Sequence, residues 1–130
     1  MIAGPSLARL RRLLLRWTCW IAALVALVYL CDYLIDARMR MTKAPSCEWI
    51  IVPTIGNSPY SARFCYLNKE TVLVRIYEIS GKLLAERTYF QLGTPRISWD
   101  TDRLWYDTYP ADTFIALPPT LIDRLRAKLP

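Results

Sequence analysis

The chain has 130 residues, a formal net charge of +6 and no histidine. Its charge is uneven, because residues 1–43 hold seven basic and two acidic side chains, whereas residues 44–130 hold ten and nine. A nearly neutral C-terminal part without a basic stripe or zinc module excludes a nucleic-acid-binding protein. The absence of histidine removes the usual general base and the commonest zinc ligand. We therefore expect no enzyme, no metal and no cofactor.

The N-terminal third contains an uncharged, almost wholly apolar run, WTCWIAALVALVYLC, at residues 17–31. Four arginines precede it, at positions 9, 11, 12 and 16. Leu34 and Ile35 lengthen the run past Asp32 to the extent that a membrane-spanning helix needs. We predict a cytoplasmic basic tail at residues 1–16 and a single-pass transmembrane signal anchor at residues 17–35. Its aromatic residues suit the two interfacial belts of a membrane: Trp17, Trp20, Tyr29 and Tyr33.

Two other interpretations of this segment are a buried helix of a soluble domain and a cleaved signal peptide. The first lacks a second long apolar helix to bury it. The second lacks a convincing cleavage site, because Leu30 stands before Cys31 where a lipoprotein signal has a small residue, and Pro45 follows Ala44. The excess of arginines before the span favours a cytoplasmic N-terminus. We therefore expect the C-terminal domain on the opposite side of the membrane, outside the cytoplasm, with membrane lipid as one partner.

The four cysteines form two pairs with different expected roles. Cys19 and Cys31 lie in the apolar segment, where packing as small hydrophobic residues is favoured over palmitoylation. Cys47 and Cys65 flank a loop rich in turn residues, VPTIGNSPYSA. We predict a disulfide between them, the alternative being two buried free thiols. Because disulfides persist in oxidising compartments, this prediction also favours a C-terminal domain outside the cytoplasm.

After a predicted linker at residues 36–46, short alternating runs separated by turn residues predict a β domain at residues 47–130. The connections are too short for parallel crossovers, which favours an antiparallel meander of six or seven strands. One hairpin turns near Gly81 in either of two registers, one setting Glu78 opposite Lys82 and the other pairing Arg75 with Glu86. The candidate strands begin at Cys47, Arg63, Thr71, Leu83, Arg96, Arg103 and Thr113.

The chain ends in PPTLIDRLRAKLP, which predicts a short amphipathic helix at residues 119–129. Apolar side chains recur at helical spacing, at positions 121, 122, 125 and 129. We expect this helix to cap an open edge or face of the sheet. The alternative is an element that binds a partner or the membrane surface.

The segment RISWDTDRLWYD carries the best candidate binding residues. A turn at Thr101-Asp102 sets Trp99 opposite Leu104 in the core, and on the other face it sets Ser98 opposite Trp105 and Arg96 opposite Asp107. A Trp beside an Arg is typical of a binding hot spot. The alternative is that Trp105 is covered by the C-terminal helix or by the loop between the cysteines. Asp100 and Asp102 are better explained by turn formation than by metal binding, because their spacing does not fit a calcium loop.

The chain resembles small inner-membrane proteins of proteobacteria. This resemblance rests on the uncleaved anchor and on four segments of the C-terminal two-thirds: SPYSARFCYL, GKLLAERTYF, SWDTDRLWYD and LPPTLIDRLRAKLP. Some of these resemble immunity proteins encoded beside toxic effectors of type VI secretion systems. The resemblance implies a periplasmic module that binds and occludes a secreted effector. The alternative is a structural or accessory subunit of a cell-envelope complex, since Ala22 and Ala26 would permit close packing of the span against another helix. The sequence does not define the oligomeric state.

Overall fold

The N-terminal apolar segment belongs to one long helix, α1 (Pro5–Lys43). After a proline at its first position, where proline is tolerated, the helix contains no further proline and no glycine. The computed structural model describes residues 5–107 and 113–130 of the chain. It divides into two compact units, Met1–Asp36 and Ala37–Pro130. Within the first unit, α1 is long and apolar enough to cross a membrane, and the four aromatic residues of the predicted belts are exposed.

The predicted linker at residues 36–46 is helical. Helix α1 continues through it to Lys43, and a 3-10 helix follows at Ala44–Ser46. In the second unit, Ala37 and Ala44 are buried. Arg40 contacts Glu86, with 3.3 Å between Nε and Oε1. The last turns of α1 are therefore part of the β domain.

The described residues of the β domain form seven antiparallel strands, which divide into two sheets rather than one continuous meander. The sheet of four strands is ordered β1-β2-β3-β4 and the sheet of three is ordered β5-β6-β7, so each keeps the order of the sequence. The break falls in the segment after β4, where Gly93 has a φ of 90°. The strands are β1 (Ile50–Val52), β2 (Tyr60–Tyr66), β3 (Thr71–Glu78), β4 (Leu83–Phe90), β5 (Ser98–Trp99), β6 (Arg103–Asp107) and β7 (Thr113–Ala116).

The main core lies between the two sheets. Ala62, Val74 and Ile76 of the four-stranded sheet belong to the same buried cluster as Leu104 and Ile115 of the three-stranded sheet. Along β2 and β7 the buried Ala62 and Ile115 have more exposed neighbours on both sides, as expected for strands with one face in the core. A sandwich of two sheets thereby gives the three-stranded sheet an inner, buried face and an outer face.

A second buried cluster covers the opposite face of the four-stranded sheet. It contains Ala44, Cys65, Leu67 and Leu73, with Trp49 packed against it. The predicted disulfide joins this cluster to the segment before β1: Cys47 and Cys65 are bonded, with 6.0 Å between their Cα atoms. The first predicted strand is shorter than expected, because β1 begins only at Ile50.

The β3–β4 hairpin combines the two registers that the sequence left open. Glu78 N–H donates to Lys82 O at 2.9 Å, and Gly81, with φ of 90°, donates to Glu78 O at 2.8 Å. Arg75 is nevertheless paired with Glu86. Both pairings hold because the register shifts after Ile76, which pairs with Ala85 while Tyr77 pairs with Leu83. Leu84 is the extra residue of this bulge.

The C-terminal helix α2 (Leu121–Arg126) is shorter than the predicted residues 119–129 and packs against β4, an edge strand. The helix does not pack against β4 through its apolar side. Asp123 is buried and forms an ion pair with Arg87 of β4. Thr120 and Asp123 also form a reciprocal capping box, which fixes the first turn. The apolar residues are the exposed ones, at 76% for Leu121, 69% for Ile122, 61% for Leu125 and 55% for Leu129.

Candidate partner-binding surface

The predicted tryptophan lies on the outer face of the three-stranded sheet. Along β6, Leu104 and Tyr106 are buried, whereas Arg103 and Trp105 are only half-buried. Ser98 pairs with Trp105, as the sequence predicted. On the other side of β6, Trp105 pairs with Phe114 of β7. Trp99 pairs with Leu104, also as predicted. We call the outer residues Ser98, Arg103, Trp105 and Phe114 the Trp105 face.

The two aromatic rings of the Trp105 face pack against each other. The ring centroids of Trp105 and Phe114 lie 5.2 Å apart in an edge-to-face arrangement, a geometry that aromatic pairs favour. Phe114 keeps 39% of its surface exposed. The tryptophan is therefore held in place by a neighbour on the same face, and its partner ring is open to solvent.

A cation lies over both rings. The guanidinium carbon of Arg103 is 4.7 Å from the centroid of Phe114 and 5.5 Å from that of Trp105, within the range of cation–π attraction. Asp102 orients the same group, accepting bonds from Nε at 2.8 Å and from Nη2 at 2.9 Å. The hydrogen bond from Arg103 holds the pKa of Asp102 below its usual value. The face thus presents a positioned cation between two aromatic rings.

The sequence did not predict that Arg103 and Phe114 lie on the same face as Trp105; it predicted an ion pair of Arg96 with Asp107 there. Arg96 is exposed and precedes β5, and the side chain of Asp107 lies outside the described residues. Their predicted ion pair therefore stays a prediction. A simple signal could have identified Arg103, because period-two alternation in RLWYD places positions 103 and 105 on one face. Phe114 depends on the register of β7, which the sequence does not specify.

A separate cleft opens at the β5–β6 turn. It has a volume of about 530 Å³ and is lined by Trp99, Tyr60, Asp100 and Thr101, among others. Asp100 Oδ1 accepts the backbone N–H of Thr101 at 2.7 Å, and Asp100 N–H donates to Arg103 O at 2.8 Å. These bonds are those of a turn-forming aspartate, so the carboxylate in the cleft wall is engaged in the turn.

The Trp105 face combines aromatic area with an oriented cation, and aromatic residues and Arg are enriched at protein interfaces. Its arrangement suits binding of a partner surface that offers carbonyl or carboxylate acceptors to Arg103 and apolar groups to the two rings. No protein-family model matches this chain, and no curated protein or solved structure is significantly similar to it. Among the described residues, the Trp105 face is a candidate partner-binding surface.

Proposed function

We propose that the protein is a membrane-anchored binding module whose β domain holds a periplasmic protein through the Trp105 face. The observation that carries this proposal is the Arg103 guanidinium stacked on Phe114 and Trp105 on a sheet face turned away from the core. Trp and Arg are the residues most enriched among those that dominate interface energies. The protein acts by stoichiometric binding and needs no cofactor.

The anchor part of the proposal is supported by the length and composition of α1. Its apolar side chains in the first unit are exposed around the helix, and lipid would remove them from water. The arginines before the span favour a cytoplasmic N-terminus. The Cys47–Cys65 bond supports a periplasmic location of the second unit, because such bonds persist in oxidising compartments. The resemblance to immunity proteins suggests a secreted effector as the partner.

Topology is tested with reporters fused at the two ends of the full chain. A reporter active only in the periplasm should be active after Pro130 and inactive before Leu10. The reverse pattern would contradict the orientation and remove the compartment argument drawn from the disulfide.

The binding surface is tested by photo-crosslinking in cells that express the full chain. A photoreactive amino acid replaces Ser98 on the Trp105 face, and the matched control replaces Ser80, an exposed serine of the β3–β4 turn. We expect one discrete adduct from position 98 and none from position 80. Once the partner is identified, Trp105→Ala should weaken its binding by about 2 kcal/mol or more, roughly thirtyfold. Equal adducts from both positions would contradict the assignment.

A second candidate function is a subunit of an envelope complex that assembles through the span. The observation in its favour is that Ala22 and Ala26, one turn apart, form a small-residue pair on an exposed helix. The two functions are distinguished by secreting residues 37–130, which form a compact unit, without the anchor and measuring partner binding. A binder should keep its affinity, whereas a subunit assembled through the membrane should lose it.

A further inference from the structure

The exposed side of α2 is apolar and continuous. With 3.6 residues per turn, Leu121, Ile122 and Leu125 fall within an arc of about 100°, and each is more than half exposed. Leu129, just beyond the helix, is exposed as well. Asp123 occupies the opposite side and holds the helix to β4 through Arg87. The orientation of the helix is therefore fixed by a polar contact, and its apolar side faces outwards.

Basic residues border this apolar side. On the helical projection, Arg124 lies beyond Leu121 and Arg126 lies beyond Ile122, so a cation flanks each edge. Both are exposed, and Lys128 follows them. The one acidic residue of α2, Asp123, is neutralised by Arg87. An apolar strip between exposed cations has the charge and shape of helices that lie in the surface of an anionic membrane.

The chain also limits how far this segment can be from the predicted span. Within the β domain, Arg40 Nη2 donates to the main-chain oxygen of Pro130 at 3.0 Å. Arg40 follows Ile35, the last residue of the predicted anchor, by five residues. Covalent connectivity alone keeps the two within about 18 Å even if the backbone between them were fully extended. The end of the chain is thus bound to a residue only five positions beyond the predicted anchor.

We propose that α2 is a membrane-surface element that inserts Leu121, Ile122 and Leu125 between the headgroups of an anionic lipid surface. Arg124 and Arg126 then lie at headgroup level, where their long side chains reach the phosphates. This inference rests on the membrane anchor of the proposed function and adds a second lipid contact to it. Its consequence is a β domain held at the membrane by two attachments.

Depth-dependent quenching in vesicles tests the contact on the full chain. Three variants each carry one fluorescent label, introduced in detergent before reconstitution: Ile122→Cys, Ile79→Cys as the control, and the native Cys31. Cys19 is replaced by Ala in all of them, and Cys31 is replaced by Ala in the first two. Ile79 is a matched isoleucine, 84% exposed in the β3–β4 turn. The vesicles contain phosphatidylethanolamine, phosphatidylglycerol and a nitroxide-labelled lipid.

We expect the label at position 122 to be quenched several-fold more strongly than the label at 79, and most strongly by nitroxides near the boundary between headgroups and acyl chains, into which such helices insert by about 5–10 Å. Leu125→Glu, an exposed change that leaves the fold intact, should reduce this quenching. Replacing phosphatidylglycerol by phosphatidylcholine should weaken it. The label at Cys31 reports the anchor independently.

Two results would overturn the inference while leaving the anchor in place. One is equal quenching at 122 and 79 with strong quenching at Cys31. The other is poor labelling of position 122 already in detergent, together with self-association that Leu125→Glu abolishes. This result would mean that the apolar side of α2 binds a second copy of the chain. Absence of quenching at Cys31 would overturn the anchor and the inference together.

Discussion

Replacement of Asp123 by alanine is predicted to destabilise the β domain far more than the size of α2 suggests. The carboxylate, 7% exposed, pairs with Arg87, which is 20% exposed. It also accepts bonds from Thr120 N at 3.1 Å and from Thr120 Oγ1 at 2.8 Å. The Asp123→Ala substitution removes both the ion pair with Arg87 and half of the capping box.

The magnitude follows from the two lost contributions. Loss of a helix cap costs about 1 kcal/mol, and a charge-assisted bond whose partner stays partly buried costs about 1–3 kcal/mol. We therefore expect the free energy of unfolding to fall by about 2–4 kcal/mol, which for a domain of this size corresponds to a drop in Tm on the order of 10–20 °C. Denaturation of the full chain in detergent, followed by tryptophan fluorescence, measures it.

Asp102→Ala is the matched control. Asp102 also pairs with an arginine, but its side chain is 62% exposed, so its removal should leave Tm close to that of the wild type. A cycle with Arg87→Met should show that most of the Asp123 effect depends on Arg87. Equal shifts in Tm for Asp123→Ala and Asp102→Ala, or no shift for either, would refute the conclusion that the ion pair of Asp123 holds α2 to β4.

The effect should depend on pH in a defined direction. Burial alone would raise the pKa of Asp123, but the hydrogen bond from Thr120 and the charge of Arg87 outweigh it and lower the pKa below its usual value. A carboxyl group with a lowered pKa in the folded state stabilises the fold above its unfolded pKa, and this contribution is lost as the pH falls through the folded value. The Tm difference between the wild type and Asp123→Asn should therefore shrink below about pH 4.

Three further predictions concern other parts of the domain. Cys47 and Cys65 should resist alkylation until reduced, and reduction should lower stability by about 3 kcal/mol, as expected for a separation of 18 residues; ready labelling of the unreduced protein would contradict the bridge. Glu86→Gln should lower stability by about 1–3 kcal/mol, because it leaves Arg40 and Arg75 partly buried without their shared carboxylate; an unchanged Tm would show that the network adds nothing to stability. Trp105→Ala should lower Tm less than Leu104→Ala, whose fully buried side chain is worth about 2–5 kcal/mol; the opposite order would place Trp105 in the core.

Local patterns predicted much of the β domain. Alternation and turn residues located the seven strands that the described part of the chain contains, and the Thr101-Asp102 turn gave the pairing of Ser98 with Trp105. Both depend on neighbours in sequence. The pairing across the β3–β4 turn was left between two registers, because a bulge at Leu84 allows features of both.

The features that the sequence did not predict depend on distant contacts. The orientation of α2 is the clearest example, since periodicity alone would bury its leucines. Arg87 instead holds Asp123 across a separation of 36 residues, a contact that no local pattern encodes. Similarly, Arg103 meets Phe114 only because β7 pairs with β6. The division into two sheets depends on tertiary contacts, because each sheet buries apolar surface against the other.

The position of the disulfide affects how the domain matures. Of the four cysteines, two lie in the predicted span and two follow it. In the proposed topology, thiols kept in lipid would not compete for an oxidant in the periplasm, and the two remaining thiols of one chain could combine in only one way. Oxidation would therefore yield the native bond directly, without a phase of reshuffled isomers. Maturation of this domain should need a thiol oxidant but should proceed unchanged in cells that lack disulfide isomerase.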